Sequence, residues 1–189
     1  ILCPIGPLTN IAKLLEYDAD IVHHVNKLVI MGGAVDCAGN VTAHAEANIW
    51  NDPDAADMVF AADWQIELIG LDVTSHITCD ANDFSQIADK APVIGGFLEK
   101  ITTFYIAFYH SVMSRHICLL HDPAAVVSIT NPSAFGYEDV PLEAITTGEE
   151  IGATRPVHGR RAVRVAKTVD AKTVRKIFLD ICEQCDRIF

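Results

Sequence analysis

Short apolar runs alternate with stretches of helical spacing through the first two thirds of the chain. Residues 1–5 read as a buried strand already under way at Ile1. Gly6-Pro7 turns the chain, and residues 8–15 follow with helical spacing. Residues 28–31 form a short apolar strand that stops at Gly32-Gly33. Asp52-Pro53 opens a helix through about Ala62, with Asp at the N-cap and Pro at the first helical position. Residues 66–71 give the next strand. Strands that alternate with helices predict a parallel sheet with crossover helices.

Further on, residues 94–112 predict a long helix. Ile94, Phe97, Leu98, Ile101, Phe104, Phe108 and Val112 keep helical spacing along it. Asp122-Pro123 repeats the Asp-Pro helix start. From 135 to 169 the pattern shifts to short strands broken by Gly and Pro, as in hairpins. Asp170 caps a last helix whose apolar face is Val174, Ile177, Phe178, Ile181, Cys182 and Cys185. No repeat, low-complexity run or linker interrupts the chain, so 1–189 reads as a single domain. The predicted fold is α/β: an open, mostly parallel sheet with flanking helices and a small antiparallel addition near the C-terminus.

Composition narrows the function. Half of the 189 residues are apolar, which predicts a folded globular chain. No apolar run reaches the roughly 18–20 residues of a membrane span. A net charge of -11 disfavours a nucleic-acid partner, because phosphate repels surplus carboxylates. The chain opens on Ile1 in what reads as mid-strand, which predicts a missing upstream segment. Six scattered cysteines in mostly apolar surroundings read as reduced thiols of a cytoplasmic protein.

Three constellations can carry chemistry. His121-Asp122 follows an apolar run and precedes Pro123, at a strand end feeding a helix, where open α/β sheets place ligands. An imidazole there can protonate a leaving group, and the carboxylate can bind a hard cation. On local sequence alone, Asp122 reads as a plain N-cap, as Asp52 does. In the second, Asn40, Glu46 and Asn48 stand among small residues. Alternation puts Glu46 and Asn48 on one side of an extended stretch, where they can grip the hydroxyls of a sugar; a polar turn is the alternative. The third, residues 6–10, can offer strand-end carbonyls to a cation, or serve only as turn and cap.

Taken together, these motifs resemble a known family. Gly6-Pro7-Leu8-Thr9-Asn10-Ile11-Ala12, Met31-Gly32-Gly33, Glu46-x-Asn48-Ile49, Asp52-Pro53-x-Ala55-Ala56, Leu71-Asp72-Val73-Thr74 and His121-Asp122-Pro123 are similar, in order, to the signatures of inosine-uridine preferring nucleoside hydrolases. The resemblance covers nearly the whole chain. It implies hydrolysis of the bond between ribose and base, with a calcium ion holding ribose hydroxyls. It implies Asp122 as a calcium ligand and Ile5 as a carbonyl ligand. It implies Asn40, Glu46 and Asn48 as the ribose grip and Met31 as lining of the sugar pocket. His121 is implied as the acid for the departing base, and Tyr105 and Tyr109 as tyrosines that close over it. A nucleoside substrate and a homo-oligomer are the implied partners.

The chain departs from the family at the Asp-x-Asp-x-x-x-Asp-Asp motif that supplies most calcium carboxylates, which it lacks. Asp122 and one carbonyl fall short of the roughly six to eight oxygens calcium prefers, so calcium binding is expected to be weak or absent. Ala47 stands where many relatives carry a bulky aromatic. The rival expectation is a non-catalytic interaction or regulatory module. Elsewhere, Cys182-x-x-Cys185 reads as core packing rather than a metal pair. His23-His24 diverge, and His110 and His116 read as surface or supporting groups. Arg160, Arg161 and Arg164 read as a solvated hairpin face. Asp72 and Thr74 read as caps or as support for the site.

Overall fold

The computed structural model describes residues 1–187. In chain order the elements are α1 (Thr9–Tyr17), α2 (Ile21–His24), β1 (Leu28–Met31), α3 (Ala47–Asn51), α4 (Pro53–Ala61), β2 (Ile66–Ile69), α5 (Leu71–Thr74) and β3 (Thr78–Cys79). There follow α6 (Ala81–Lys90), α7 (Pro92–Met113), β4 (Cys118–Leu119), α8 (His121–Thr130), β5 (Phe135–Ala144), β6 (Thr154–Pro156), β7 (Ala162–Val169) and α9 (Ala171–Cys182). The main sheet runs β1-β2-β7-β5-β6, and β3 pairs with β4 in a small ribbon. β1, β2 and β7 are parallel. β5 pairs antiparallel with both β7 and β6, which is the C-terminal addition the sequence predicts.

Period-2 alternation divides the core in two. Leu28 and Ile30 of β1, Ile66 and Leu68 of β2, and Val163 and Val165 of β7 point to one face, where α1 and α4 pack. Val29, Met31, Ile69 and Ala166 point to the other, covered by α5 to α9. Burial on both faces explains why these strands read as continuous apolar runs. Glu67 interrupts β2 at only 4% exposure. Lys27 and Arg164 reach it at 2.8 and 2.7 Å, and these pairings offset the cost of burying the carboxylate.

Several elements differ from the sequence reading. Residues 1–5 are extended beside β1, but only Leu2 forms a bridge, to Leu28, while Ile1 and Ile5 are exposed. Pro4 has no amide to extend the ladder. The strand over 66–71 stops at Ile69, since α5 starts at Leu71. Asp52 and Asp170 cap their helices, accepting from Ala55 N and Thr173 N. Asp122 does not: α8 begins two residues earlier than such a cap requires, at His121, with Leu120 at its N-cap. α9 ends at Cys182, so Cys185 falls in a following turn and Ile181 is exposed. Arg161 and Arg164 are exposed, as expected of a solvated face, and Arg160 is half-buried; each pairs with an acid, Asp57 with Arg160, Asp63 with Arg161 and Glu67 with Arg164. All six cysteines are free thiols. Among the described residues no helix is long and apolar enough to cross a membrane.

α6 is absent from the sequence reading. A capping box starts it: Asp80 accepts from Asp83 N while Asp83 accepts from Asp80 N. α6 and α7 pack as a helical hairpin, closest at Gly95, where a Cβ would stand 2.6 Å from Ala88 N. Neighbouring Gly96 has nothing within 4 Å of such a Cβ. Gly95→Ala is therefore expected to lose about 1–3 kcal/mol in urea unfolding, while Gly96→Ala gains up to ~1 kcal/mol from helix propensity. Equal effects at the two positions would contradict this packing.

Candidate active site

Elements of the sheet and of α7 enclose a cleft of about 900 Å³. It opens at the carboxyl ends of the parallel strands, where open α/β sheets place ligands. Met31 is the last residue of β1, and Leu71 follows β2 after Gly70. Ile5 lines the same floor at the end of the extended N-terminal segment. His121 and Asp122 enter from the start of α8, and Tyr105 and Tyr109 from α7.

One carboxylate organises the wall where the end of β1 meets α3. Glu46 is 2% exposed and N-caps α3. Its Oε2 accepts from Gly33 N at 3.0 Å, Asn48 N at 3.0 Å and Ile49 N at 3.2 Å. Asn48 donates through Nδ2 to the Met31 carbonyl at 3.0 Å, and Asn40 accepts from Ala47 N at 2.9 Å. Glu46 and Asn48 thus share a side through a helix cap, not through the strand alternation expected from the sequence. Burial raises the Glu46 pKa, the three amides oppose it, and the charge of Asp122 raises it further. The Asp122 carboxyl is raised by burial too. Two carboxyls facing one cleft, both held above the usual range, favour a positively charged guest.

On the other side runs a chain of hydroxyls and one imidazole. Tyr105 and Tyr109 hydroxyls meet at 3.1 Å, Tyr109 meets His121 Nε2 at 2.9 Å, and His121 Nδ1 meets Thr74 Oγ1 at 2.7 Å. Both ring nitrogens of His121 are therefore engaged, so its orientation is fixed. Burial lowers the His121 pKa to about 4 and raises that of both tyrosines. At neutral pH the chain is uncharged throughout.

Nine residues implied by the resemblance line this one cleft: Ile5, Met31, Asn40, Glu46, Asn48, Tyr105, Tyr109, His121 and Asp122; residues 6–10, Asp72 and Thr74 do not line it. Thr74, which local sequence reads as a cap or a support, is fully buried against His121. Asp72 instead holds the loop after β1, accepting from Val35 N and Asp36 N. Leu98, Phe108 and Phe178 also line the cleft and were not singled out as site residues. For a calcium ion the residues present do not suffice. Asp122 and Ile5 reach the floor, but the described residues include no group of three or more His, Cys, Asp or Glu able to hold a metal.

Two expectations follow from this geometry. Glu46→Ala leaves three amides without an acceptor and is expected to lose about 3 kcal/mol or more in denaturant unfolding. Glu46→Gln keeps an acceptor oxygen and should stay within ~1 kcal/mol. For His121, the unfolded chain takes up a proton near 6.5 and the folded chain only near 4. The unfolded state binds more protons between those values, so stability is present above pH 6.5 and is lost as pH falls toward 4. His121→Asn should flatten that part of the stability profile; an unchanged slope would show that the imidazole titrates normally.

The chain matches the family model of the inosine-uridine preferring nucleoside hydrolases over residues 1–176. It is 32% identical to the probable uridine nucleosidase 2 of Arabidopsis thaliana, over 95% of this chain and 62% of that protein. It is also 32% identical to the inosine-uridine preferring nucleoside hydrolase of Crithidia fasciculata, over 97% of this chain and 60% of that one. A solved structure of the purine-preferring ribonucleoside hydrolase from Gardnerella vaginalis matches with a TM-score of 0.93 and 33% identity, over 99% of this chain and 61% of that one. The chain spans about three fifths of the length of these relatives. On this match, and on a fold shared at that closeness, the chain belongs to the inosine-uridine preferring nucleoside hydrolase family.

Proposed function

We propose that this chain supplies the base-side acid and the ribose grip for hydrolysis of the N-glycosidic bond of ribonucleosides. The observation that carries the reading is the meeting of His121 and Asp122 with Asn40, Glu46 and Asn48 across one cleft. Breaking that bond builds positive charge on the ribose and negative charge on the base. Glu46 and Asp122 suit the first, as carboxyls whose burial in the cleft raises their pKa values and favours a positive neighbour. His121 suits the second. Its imidazole is neutral in the free cleft; as negative charge grows on the departing base, the ring takes up a proton relayed from solvent through the Tyr105 and Tyr109 hydroxyls and passes one to the base. Asn40 and Asn48 are placed to bind the sugar hydroxyls, with Met31 beneath. Tyr105 and Tyr109 wall the side where a base would lie. The names of the relatives span uridine, inosine and purine nucleosides, so purine and pyrimidine ribosides are both candidate substrates. The six free thiols suit a cytoplasmic setting.

In this reading the chain binds calcium weakly and turns over little by itself, because one carboxylate and one carbonyl do not make a calcium site. The same shortage favours the second reading, a non-catalytic chain that acts by association. One experiment separates them. The chain is incubated with inosine and with uridine, with and without calcium, alone and mixed with a separately made segment bearing the Asp-x-Asp-x-x-x-Asp-Asp motif. Base release is expected only in the mixture, falling about 10²–10⁴-fold with His121→Ala. No release in any mixture, together with stable self-association, would support the second reading. Isothermal titration is expected to find no micromolar calcium affinity in the chain alone; such affinity would overturn the weak-calcium expectation.

A further inference from the structure

The file of groups that holds His121 begins outside the cleft. Thr74 sits on α5, fully buried, and does not line the cavity. Its Oγ1 stands 2.7 Å from Nδ1 of His121. Among the described residues this hydroxyl has no other hydrogen-bond partner. A hydroxyl shut away from solvent gives its proton to whatever acceptor it can reach, because an unpaired buried donor is costly. Here that acceptor is the Nδ1 lone pair. A neutral imidazole carries one proton, so a ring that accepts at Nδ1 donates at Nε2. The opposite tautomer would set two donors against each other or strand the threonine proton. Nε2–H then meets the Tyr109 oxygen at 2.9 Å, and Tyr109 donates to Tyr105 at 3.1 Å. Thr74, His121 and Tyr109 thus all donate in one direction, from the core toward the cleft.

Thr74 is tied to the other wall as well. Glu46 accepts from Gly33 N at 3.0 Å, and the Gly33 carbonyl accepts from Leu71 N at 2.8 Å, at the first residue of α5. Within α5, Thr74 N donates to the Gly70 carbonyl at 3.1 Å. Asp72 pins the same short helix to the loop after β1 through Val35 N and Asp36 N. α5 is therefore held to the turn that Glu46 holds, and Thr74 passes that position on to the imidazole. One path of hydrogen bonds joins the ribose grip to the acid, and the Thr74 hydroxyl is its last link.

We propose that Thr74 is the positioning residue of His121: it donates to Nδ1, holds the imidazole as the Nε2–H tautomer, and so keeps the transferable proton on the side of the cleft. The use of that proton rests on the hydrolase reading; its location does not. As the glycosidic bond breaks, the Nε2–H bond is exchanged for a bond from hydrogen to a base nitrogen. Tyr109 turns its hydroxyl and gives its proton to Nε2, Tyr105 restores that of Tyr109, and a solvent proton restores Tyr105. Thr74 gives up nothing. Its hydroxyl keeps Nδ1 occupied, so the ring neither turns over nor takes its proton on the buried side.

Nitrogen NMR on the full chain, labelled with 15N-histidine and held at pH 7, reads the tautomer directly. The His121 signals are assigned by their loss in His121→Asn. Nδ1 is expected in the unprotonated range and Nε2 in the protonated range. Thr74→Ser keeps the hydroxyl and should leave both shifts in place. Thr74→Val keeps the shape but removes the donor; the ring is then free to turn over, and the two shifts should move toward each other while circular dichroism stays the same. A proton on Nδ1 in the wild-type chain, protons on both nitrogens, or shifts unmoved by Thr74→Val in a folded chain would each overturn the assignment. Should Thr74→Val not fold, the wild-type and Thr74→Ser shifts decide it. In the mixture with the Asp-rich segment, base release should fall about 100-fold with Thr74→Val and recover with Thr74→Ser. No release from the wild-type mixture would count against the hydrolase reading alone, since the tautomer is read without turnover.

Discussion

A single carboxylate oxygen ties the cleft together. Glu46 Oε2 takes amides from the loop after β1 and from the first turn of α3, two segments with no backbone ladder between them. Three donors on one buried acceptor fix the spacing between the end of the sheet and the helix that carries Asn48. Asn48 then returns to the Met31 carbonyl, closing a ring of contacts around the strand end. The backbone is shaped to permit this: Gly33 adopts φ +81°, and a Cβ on Gly70 would stand 2.7 Å from the Gly33 carbonyl. The cost is a buried acid held above its usual pKa. The same environment gives the cleft its preference for positive charge.

Much of this was legible in the chain. β1 matches its apolar run to the residue, because Gly32-Gly33 marks its end and burial on both faces leaves no polar position inside it. Asp52 and Asp170 announced their helices because a side-chain cap is a local interaction, spelled within four residues. What failed was what depends on distant partners. Glu46 lies beside Asn48 through a helix cap, and two alternating polar residues look the same whether extended or capping. Thr74 and His121 stand 47 residues apart, so no local pattern pairs them. Asp122 resembles Asp52 in sequence, but α8 starts at His121, which moves the carboxylate inside the helix and toward the cleft.

The two sides of the cleft differ in kind. The side of Glu46 is a rigid lattice of amides and carboxylate that fixes positions. The side of His121 is a file of neutral groups, Tyr105, Tyr109, the imidazole and Thr74, joined by hydroxyls whose protons can reorient. A proton withdrawn at one point of such a file can be replaced by rotation of its neighbours. The division matches the chemistry proposed, in which one partner must be held and the other must receive a proton.

The backbone of α7 is held at its N-terminal end, while its far half is held through side chains: Ile106 and Tyr109 are buried, and Tyr109 meets His121. Asp186 accepts from Val93 N and Ile94 N, and Gly95 presses its backbone onto α6. The far end stops at Ser114, whose φ of 55° breaks the helix. A tilt about Gly95, if it broke those side-chain contacts, would act on Tyr109 some fourteen residues, or about 21 Å, down the lever. A swing of only ~5° would carry that tyrosine nearly 2 Å, enough to part it from His121 while the pivot hardly stirs.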